Sequence, residues 1–374
     1  MDNRFLWHAG SRPVNQRWPL VPALRGDELF SSWLIRCSLC HACDPLEIAH
    51  LLWPTQRVWT RDCDLTVYPL SDLSRNSGIP EENLHDSTLQ PVCERLGLQV
   101  PSGSVTPWIL SLGGRNLRRA GGLQYCPACF SEPRPFYRMQ WRLAWYTSCP
   151  VHGVLLRDRC PHCQAIVSPH RLDYRAGDLT RCHVCHGLLM DAEFEPADAG
   201  AEELEAFADS VVRGNVCGFG GLMMGADEWF ALMKGLHRLM RALAIKRTGP
   251  ARAFLQLLDV DIDAFPKVSL GLTLECLTPR DRVCYLSAVN AILKAGASRF
   301  AEAAEATHLC HSSCRAAIGA DLSCLSKLLP QTPPRPYVRA ESGRSLPRSK
   351  QSVLRAWLRF QRKALRAGVR RVCR

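Results

Sequence analysis

Cys126-Pro127-Ala128-Cys129, then Cys149-Pro150-Val151-His152, Cys160-Pro161-His162-Cys163 and Cys182-His183-Val184-Cys185 are the stretches that decide how this chain folds. A C-x-x-C turn presents two thiolates to one ion, and two such turns close a tetrahedron around zinc, the usual structural geometry. The gaps between partners are 19 residues in the first set and 18 in the second. The turns therefore pair as Cys126, Cys129, Cys149 and His152 in one site and Cys160, Cys163, Cys182 and Cys185 in the other. Cys126 to Cys160 and Cys129 to Cys163 are both offset by 34, and Cys149 to Cys182 and His152 to Cys185 by 33. A near-constant offset is what a duplicated zinc unit leaves behind, so two structural zinc ions per chain are expected. His183 and His186 crowd the last pair, and the sequence leaves open whether either replaces a cysteine there.

Four protein donors per site leave no coordination position for water, which argues against zinc catalysis. The zinc deaminase signature also fails, because no histidine is followed two residues later by Glu. No catalytic residue is assigned. Nineteen cysteines would suggest disulfides in a small secreted protein. The start, MDNRFLWHAG, lacks a basic flank leading into an apolar run, so thiolate metal sites are the better reading and a cytoplasmic location is expected. Cys37, Cys40 and Cys43 sit three apart at an expected helix end, poor geometry for one metal, and read as buried small residues. His308-Leu309-Cys310-His311 with Cys314 lacks a second pair and is not read as a metal site.

Around this middle the apolar spacing is helical. Leu29, Phe30, Trp33, Leu34 and Cys37 mark an amphipathic helix in GDELFSSWLIR, and Asp44-Pro45 starts a second that Trp53-Pro54 stops. Between Leu70 and Leu96 a helical pair resembles a helix-turn-helix, with Gly78 ending the first helix and Pro80-Glu81-Glu82 beginning the second; such small pairs more often pack than dock in DNA. Residues 136–146, FYRMQWRLAWY, can stack on bases, but in a small zinc unit these aromatics more often supply the core. An acidic linker at 191–205 leads to helices near 228–245, 280–294 and 297–306, and PQTPPRP at 330–336 is a stiff extended linker. The expected class is mainly α, with a central duplicated zinc-ribbon or treble-clef-like region and helix-turn-helix-like segments. Its boundaries are 1–120, helical; 121–190, tandem zinc; 191–334, helical; and 335–374, a basic tail. No segment approaches the roughly 18 apolar residues of a membrane helix, so no membrane partner is expected.

The charge is uneven. Residues 335–374 carry 13 Lys or Arg against one acid, Glu341, so the whole net charge of +12 sits there and residues 1–334 sum to zero. A basic tail on a neutral body suits local phosphate neutralisation, the alternative being a solubilising tail. Within it, residues 349–369 form a basic amphipathic helix with Arg355, Arg359, Arg362, Lys363 and Arg366 beside its apolar stripe, the candidate nucleic-acid contacts.

GDELFSSWLIRC, YCPAC with WRLAWYTSCPVHGVLL, and DRCPHCQAIV before CHVC together resemble the TniQ/TnsD family of transposition proteins over roughly residues 20–190. The family's two zinc motifs fall on the eight donors named above. The resemblance implies a non-catalytic bacterial target-selection adaptor that works with a AAA+ ATPase and a DDE transposase. Some relatives bind target DNA directly, and others join an RNA-guided Cascade complex as dimers. A homodimer linking Cascade and its guide RNA to the ATPase is the expectation. A TnsD-like site binder or a zinc-containing transcription regulator is the alternative, and would bind specific DNA without partners.

Overall fold

Helix α1 (Phe30–Cys40) buries Phe30, Trp33, Leu34 and Cys37 of the expected apolar stripe, with Leu29 buried at its N-cap. Ser31, Ser32, Ile35 and Ser38 are buried as well, so the helix is enclosed beyond the single face that the 3.6-residue period marks. The computed structural model describes residues 17–66, 68–100, 105–112, 121–246, 249–266, 272–311, 314, 323–330 and 349–366. Helix α2 (Pro45–Leu52) begins where Asp44-Pro45 predicts, with the Glu47 carboxylate accepting the Asp44 backbone N–H at 3.1 Å. It ends at Trp53, and a single turn, α3 (Val58–Arg61), follows. Helix α4 (Ser71–Ser77) stops at Gly78, whose φ of +74° supplies the left-handed residue expected there.

The helix expected from Pro80 onward is interrupted. It forms as α5 (Glu81–Asp86) and α6 (Gln90–Arg95), separated at Ser87–Leu89. Pro91 has no N–H and its ring clashes with the carbonyl four residues back, so one continuous helix could not pass residue 87 without strain. The break is used: the Ser87 carbonyl accepts from Phe30 N–H at 2.8 Å, and Leu89 N–H donates to the Asp64 carbonyl at 2.8 Å. The linker to α1 and the loop after α3 are thereby fastened to this segment.

Beyond residue 190, Asp198 caps α8 (Ala199–Val212), which runs seven residues past the end of the expected linker. A short hairpin, β1 (Cys217–Phe219) and β2 (Leu222–Met224), pairs antiparallel with Cys217 opposite Met224. Then come α9 (Ala226–Lys246), α10 (Gly249–Leu257), α11 (Pro279–Ala306) and α12 (Ser323–Leu328). Gly296 breaks α11 with φ +80° and ψ 170°, between the two helices that the sequence predicts at 280–294 and 297–306. The hairpin and α10 have no counterpart in the sequence reading. Among the described residues no helix is long and apolar enough to cross a membrane.

Two apolar cores result. One joins α1 to α4 with the cysteine-rich middle, through Trp33, Trp53, Tyr125, Tyr137 and Trp141. The other gathers α8 to α11 with Trp108, Trp145 and Tyr146. The run 136–146 thus feeds both, with Trp141 and Trp145 fully buried, which is the core reading of those aromatics. At its centre lies Arg142, wholly buried, donating to Asp62 at 2.5 Å, to Asp64 at 2.6 Å and to the Leu110 carbonyl at 2.7 Å. Asp64 also accepts the Ser31 N–H at the start of α1 at 2.7 Å.

Residues 332–374 form a separate unit, in which α13 (Lys350–Arg366) is described. Residues 331–336 of the expected stiff linker lie outside the described residues.

Removing Arg142 leaves two carboxylates facing each other in the interior. Breaking a buried pair from one side costs on the order of 3–5 kcal/mol. Arg142→Met should therefore lower the unfolding free energy by about that amount in denaturant titration; a loss below about 1 kcal/mol would show that the node is replaceable.

Candidate metal centres

In the first cluster Cys126 opens a one-turn helix, α7 (Pro127–Phe130), and its sulfur accepts the Cys129 backbone N–H at 3.4 Å. Cys129 Sγ lies 3.6 Å from Cys149 Sγ, and His152 Nδ1 lies 3.3 Å from Cys129 and 3.6 Å from both Cys126 and Cys149. In the second, Cys160 Sγ is 3.6 Å from Cys185 Sγ, and Cys163 Sγ is 3.6 Å from Cys182 Sγ. Within each set of four all donor atoms lie within 4.8 Å of one another. With Zn–S near 2.3 Å and Zn–N near 2.0 Å, a regular tetrahedron has edges of about 3.5–3.8 Å. A disulfide would need sulfurs about 2.05 Å apart, and all these cysteines are free. The donor sets are compatible with two zinc ions.

The duplication visible in the spacing recurs in the backbone. Cys149 N–H donates to the Val154 carbonyl at 2.8 Å and Cys182 N–H to Gly187 at 3.0 Å, 33 residues on. Gly153 N–H closes on Cys149 at 2.9 Å and His186 N–H on Cys182 at 2.9 Å; Leu156 bonds Thr147 at 2.8 Å and Leu189 bonds Thr180 at 2.9 Å. The turn after the second ligand pair of each set needs a left-handed residue. Gly153 supplies it in one copy with φ +60°, and His186 in the other with φ +57°. His186 is therefore a turn residue, and the donors that converge in the second cluster are the four cysteines, without His183 or His186.

Within each cluster one thiol is shifted down while two others are shifted up. Hydrogen bonds from Cys126 and Cys129 push the Cys149 thiol down to about 2, while the same contacts push Cys129 far up. Backbone donation from Gly187, with Cys163 beside it, lowers Cys185 to about 7. His152 turns Nδ1 into its cluster, and its Nε2 lies 3.4 Å from the Glu132 carboxylate. A carboxylate in that position fixes the ring's tautomer and orientation for a metal. The first cluster is buried except for His152, whereas Cys163 and Cys185 of the second are exposed.

The segments that carry the ligands are gripped from the C-terminal helices. Glu205 of α8 accepts from Thr147 N–H at 2.7 Å and Oγ1 at 2.8 Å, and from Ser148 N–H at 3.1 Å and Oγ at 2.5 Å, just before Cys149. Burial raises its pKa to about 7. Arg282 of α11, fully buried and pushed down to about 10 by desolvation, donates to the Ala144 carbonyl at 2.8 Å and to Gln124 Oε1 at 2.5 Å, two residues before Cys126. A Cβ on Gly121 would stand 2.2 Å from the Leu277 carbonyl, so this segment has room only for glycine against the residues that lead into α11. None of these supports was read from the sequence. Arg142, a cation set among the aromatics of WRLAWY, is the sequence signal that could have pointed to a buried node.

Other candidates fall elsewhere. Cys37 is buried but Cys40 is exposed and Cys43 half-buried, so only the first of that trio fits the buried reading. Arg355 and Arg359 are exposed on α13, and Arg359 Nε donates to the Arg355 carbonyl at 3.2 Å. Arg362, Lys363 and Arg366 continue that helix, their side chains lying outside the described ones. In the segment GDELFSSWLIR, buried Glu28 accepts from Ser32 at 2.9 Å and Arg36 at 3.2 Å, while Leu29 N–H and Met139 N–H donate to the Tyr137 and Asp27 carbonyls at 3.0 and 2.9 Å. GDELFSSWLIR and the 136–142 run are thus two halves of one platform beside the first cluster.

Residues 19–156, which hold that platform and the whole first cluster, match the family model TniQ. Over this segment the chain is similar to the TniQ family. TniQ proteins are transposition accessory factors, so a transposition-associated DNA-binding or adaptor role follows. No curated protein matches the chain. The second cluster, Cys160 to Cys185, lies beyond the TniQ match and is tied to it by the backbone repeat.

Purified protein should carry about two zinc ions per chain by elemental analysis, since each structural site contributes on the order of 10 kcal/mol to folding of its unit. Metal binding expels thiol protons, so affinity should fall as pH falls. Glu132→Ala should loosen one of the two ions about 10- to 100-fold in chelator competition and leave the other unchanged. Cys163→Ser with two tightly held ions would overturn the second site.

Proposed function

We propose that this chain is a non-catalytic, zinc-stabilised adaptor for choosing the target of DNA transposition, linking a complex that marks the target to a AAA+ transposition ATPase. The observation that carries this reading is the TniQ match over residues 19–156, which coincides with the platform and first donor set rather than with an isolated motif. Zinc in such an arrangement is architectural: four protein donors surround each position, and the surrounding hydrogen bonds fix ligands instead of activating a nucleophile. The target-marking partner in this proposal is an RNA-guided Cascade complex, and the protein acts as a homodimer in the bacterial cytoplasm.

The division of labour follows from charge. Residues 1–334 have zero formal net charge, and strong DNA affinity rests on phosphate neutralisation, so specificity comes from partners that raise the local concentration of the adaptor at the target. The second reading, direct DNA binding, draws on the tail, where Arg355 and Arg359 stand exposed on α13.

Two experiments separate these readings. In a transposition assay with its neighbouring ATPase and transposase, omission of the chain should abolish directed insertion, and a pull-down should recover the ATPase and the guide complex. Directed insertion at full frequency without the chain would defeat the adaptor reading, and site-specific nanomolar DNA binding by the isolated protein would favour the direct binder. For the tail, replacing Arg355, Arg359, Arg362 and Arg366 by Ala should flatten the log-log salt dependence of nucleic-acid binding by up to roughly four units. An unchanged slope would remove the tail from phosphate contact.

A further inference from the structure

A groove of about 440 Å³ opens on the C-terminal helical core, away from both donor clusters. One wall is α9, where Lys234, Arg238 and Arg241 recur at intervals of four and three residues, so that they share one helix face. The opposite wall is made by Trp108, Leu272 and Glu275. Glu275 is the one carboxylate among the described lining residues, and it already accepts the Trp108 N–H at 2.9 Å. Arg241 is likewise engaged, donating to the Leu272 carbonyl. Lys234 and Arg238 remain to meet a ligand. Desolvation lowers the pKa of Lys234, so its charge lies partly withdrawn from water, where an anion is held more strongly than on an open surface.

His237 sits between them on the same helix, 4% exposed, with its ring edge-on to Tyr285 at 5.2 Å. Its Nε2 is buried and has no hydrogen-bond partner. Buried polar atoms in folded proteins are nearly always paired, so an orphan ring nitrogen lining a groove marks a place where a ligand atom completes the bond. Burial and the three neighbouring cations push His237 down to about 3, so it is a neutral imidazole at physiological pH. Such a ring brings no charge of its own, so it suits a hydroxyl or an amide edge and adds no charge to the hold on a phosphate. The groove therefore has two chemistries side by side, a cationic one for an anion and a neutral polar one flanked by the apolar Ile245 and Leu272. Its volume falls within the roughly 300–1,000 Å³ typical of small-ligand sites.

We infer that this groove binds a nucleotide, its phosphate held by Lys234 and Arg238 and its sugar or base edge meeting His237. The same chemistry is presented by a free nucleotide and by one unit of a single-stranded nucleic acid. The inference stands apart from the adaptor reading, because it is read by equilibrium binding and needs no transposition.

The test uses the full chain with metal content and circular dichroism as controls of folding. Adenosine 5′-monophosphate, inorganic phosphate and a single-stranded DNA of about ten nucleotides are titrated by calorimetry, the DNA also against unlabelled monophosphate. The monophosphate should bind saturably and more tightly than inorganic phosphate. Lys234→Gln with Arg238→Gln should weaken it by about tenfold or more, each being a charge-assisted contact. His237→Leu should bring its affinity down to that of inorganic phosphate. Arg355→Gln with Arg359→Gln, on α13, should leave it unchanged. A strand that binds more tightly than the monophosphate, and is displaced by it, identifies a nucleic-acid end or unpaired segment as the source; equal affinity identifies the free nucleotide. Absence of saturable binding, equal binding of phosphate and monophosphate, or an unchanged affinity in the Lys234/Arg238 double variant would each overturn the inference.

Discussion

Arg142 is the constraint on which the rest of the chain is hung. It has no exposed surface, yet it carries a charge that must be answered inside the protein, and it is answered from two directions, by Asp62 and Asp64 of the loop after α3 and by the Leu110 carbonyl. Desolvating three charged groups is expensive, and their mutual attraction repays it only where the geometry is near ideal and the remaining donors and acceptors are paired. Asp64 meets that condition by also taking the Ser31 N–H, which sets the start of α1. One residue inside the aromatic run thus fixes the loop, the first helix and the segment leading to Cys149. The aromatics on either side, Trp141 and Trp145, then have no freedom about which core they enter, and they enter different ones.

A similar logic runs through the cysteine-rich middle. Its backbone holds isolated bridges and single turns in place of long strands, so few ladder hydrogen bonds hold it. A metal ion held by each donor set would close each knuckle, but such a site fixes only the four donors and leaves the approach of the chain to them undetermined. That approach is set by polar side chains reaching in from later helices. Glu205 takes four hydrogen bonds around Thr147 and Ser148, and Arg282 reaches Gln124 and Ala144. Each of these is buried, so each bond lost would leave an unpaired polar atom without water to replace it. Metal closure at the donor sets would therefore depend on helix docking, and docking on closure.

This interdependence explains which parts of the molecule could be read in advance. Spacing rules act over a few residues and need no knowledge of the rest of the chain, so the eight donors, the stripe on α1, the Asp44-Pro45 start, the cap at Gly78 and the break at Gly296 were legible. The division of the second helix before Pro91 was also within reach, since proline forbids it locally. What could not be read were the partners separated by tens of residues. Arg142 with Asp62 and Asp64, Glu205 with Ser148, and Arg282 with Gln124 are pairings that no periodicity announces. The hairpin at residues 217–224 was missed because three-residue strands are too short for alternation to register.

His186 shows how a residue can mislead when chemistry is read without conformation. Beside Cys182 and Cys185 it has the composition of a ligand, and a histidine in that place is chemically able to bind zinc. The backbone gives it a different task. The turn closing the second knuckle repeats that of the first, where Gly153 holds φ +60°, and the copy places His186 in the same left-handed conformation at φ +57°. A non-glycine residue there bears a strain of about 1–2 kcal/mol, which persists only because bonds on both sides hold the turn. His186 N–H to Cys182 and Cys182 N–H to Gly187 are those bonds. Gly187 in turn is kept small, since a Cβ on it would stand 2.4 Å from the ring of His162. The duplicated unit has kept its hydrogen-bond register while exchanging the residues that satisfy it, and a donor set of four cysteines follows from that register, because the turn that positions Cys182 and Cys185 leaves His186 as the residue that closes it.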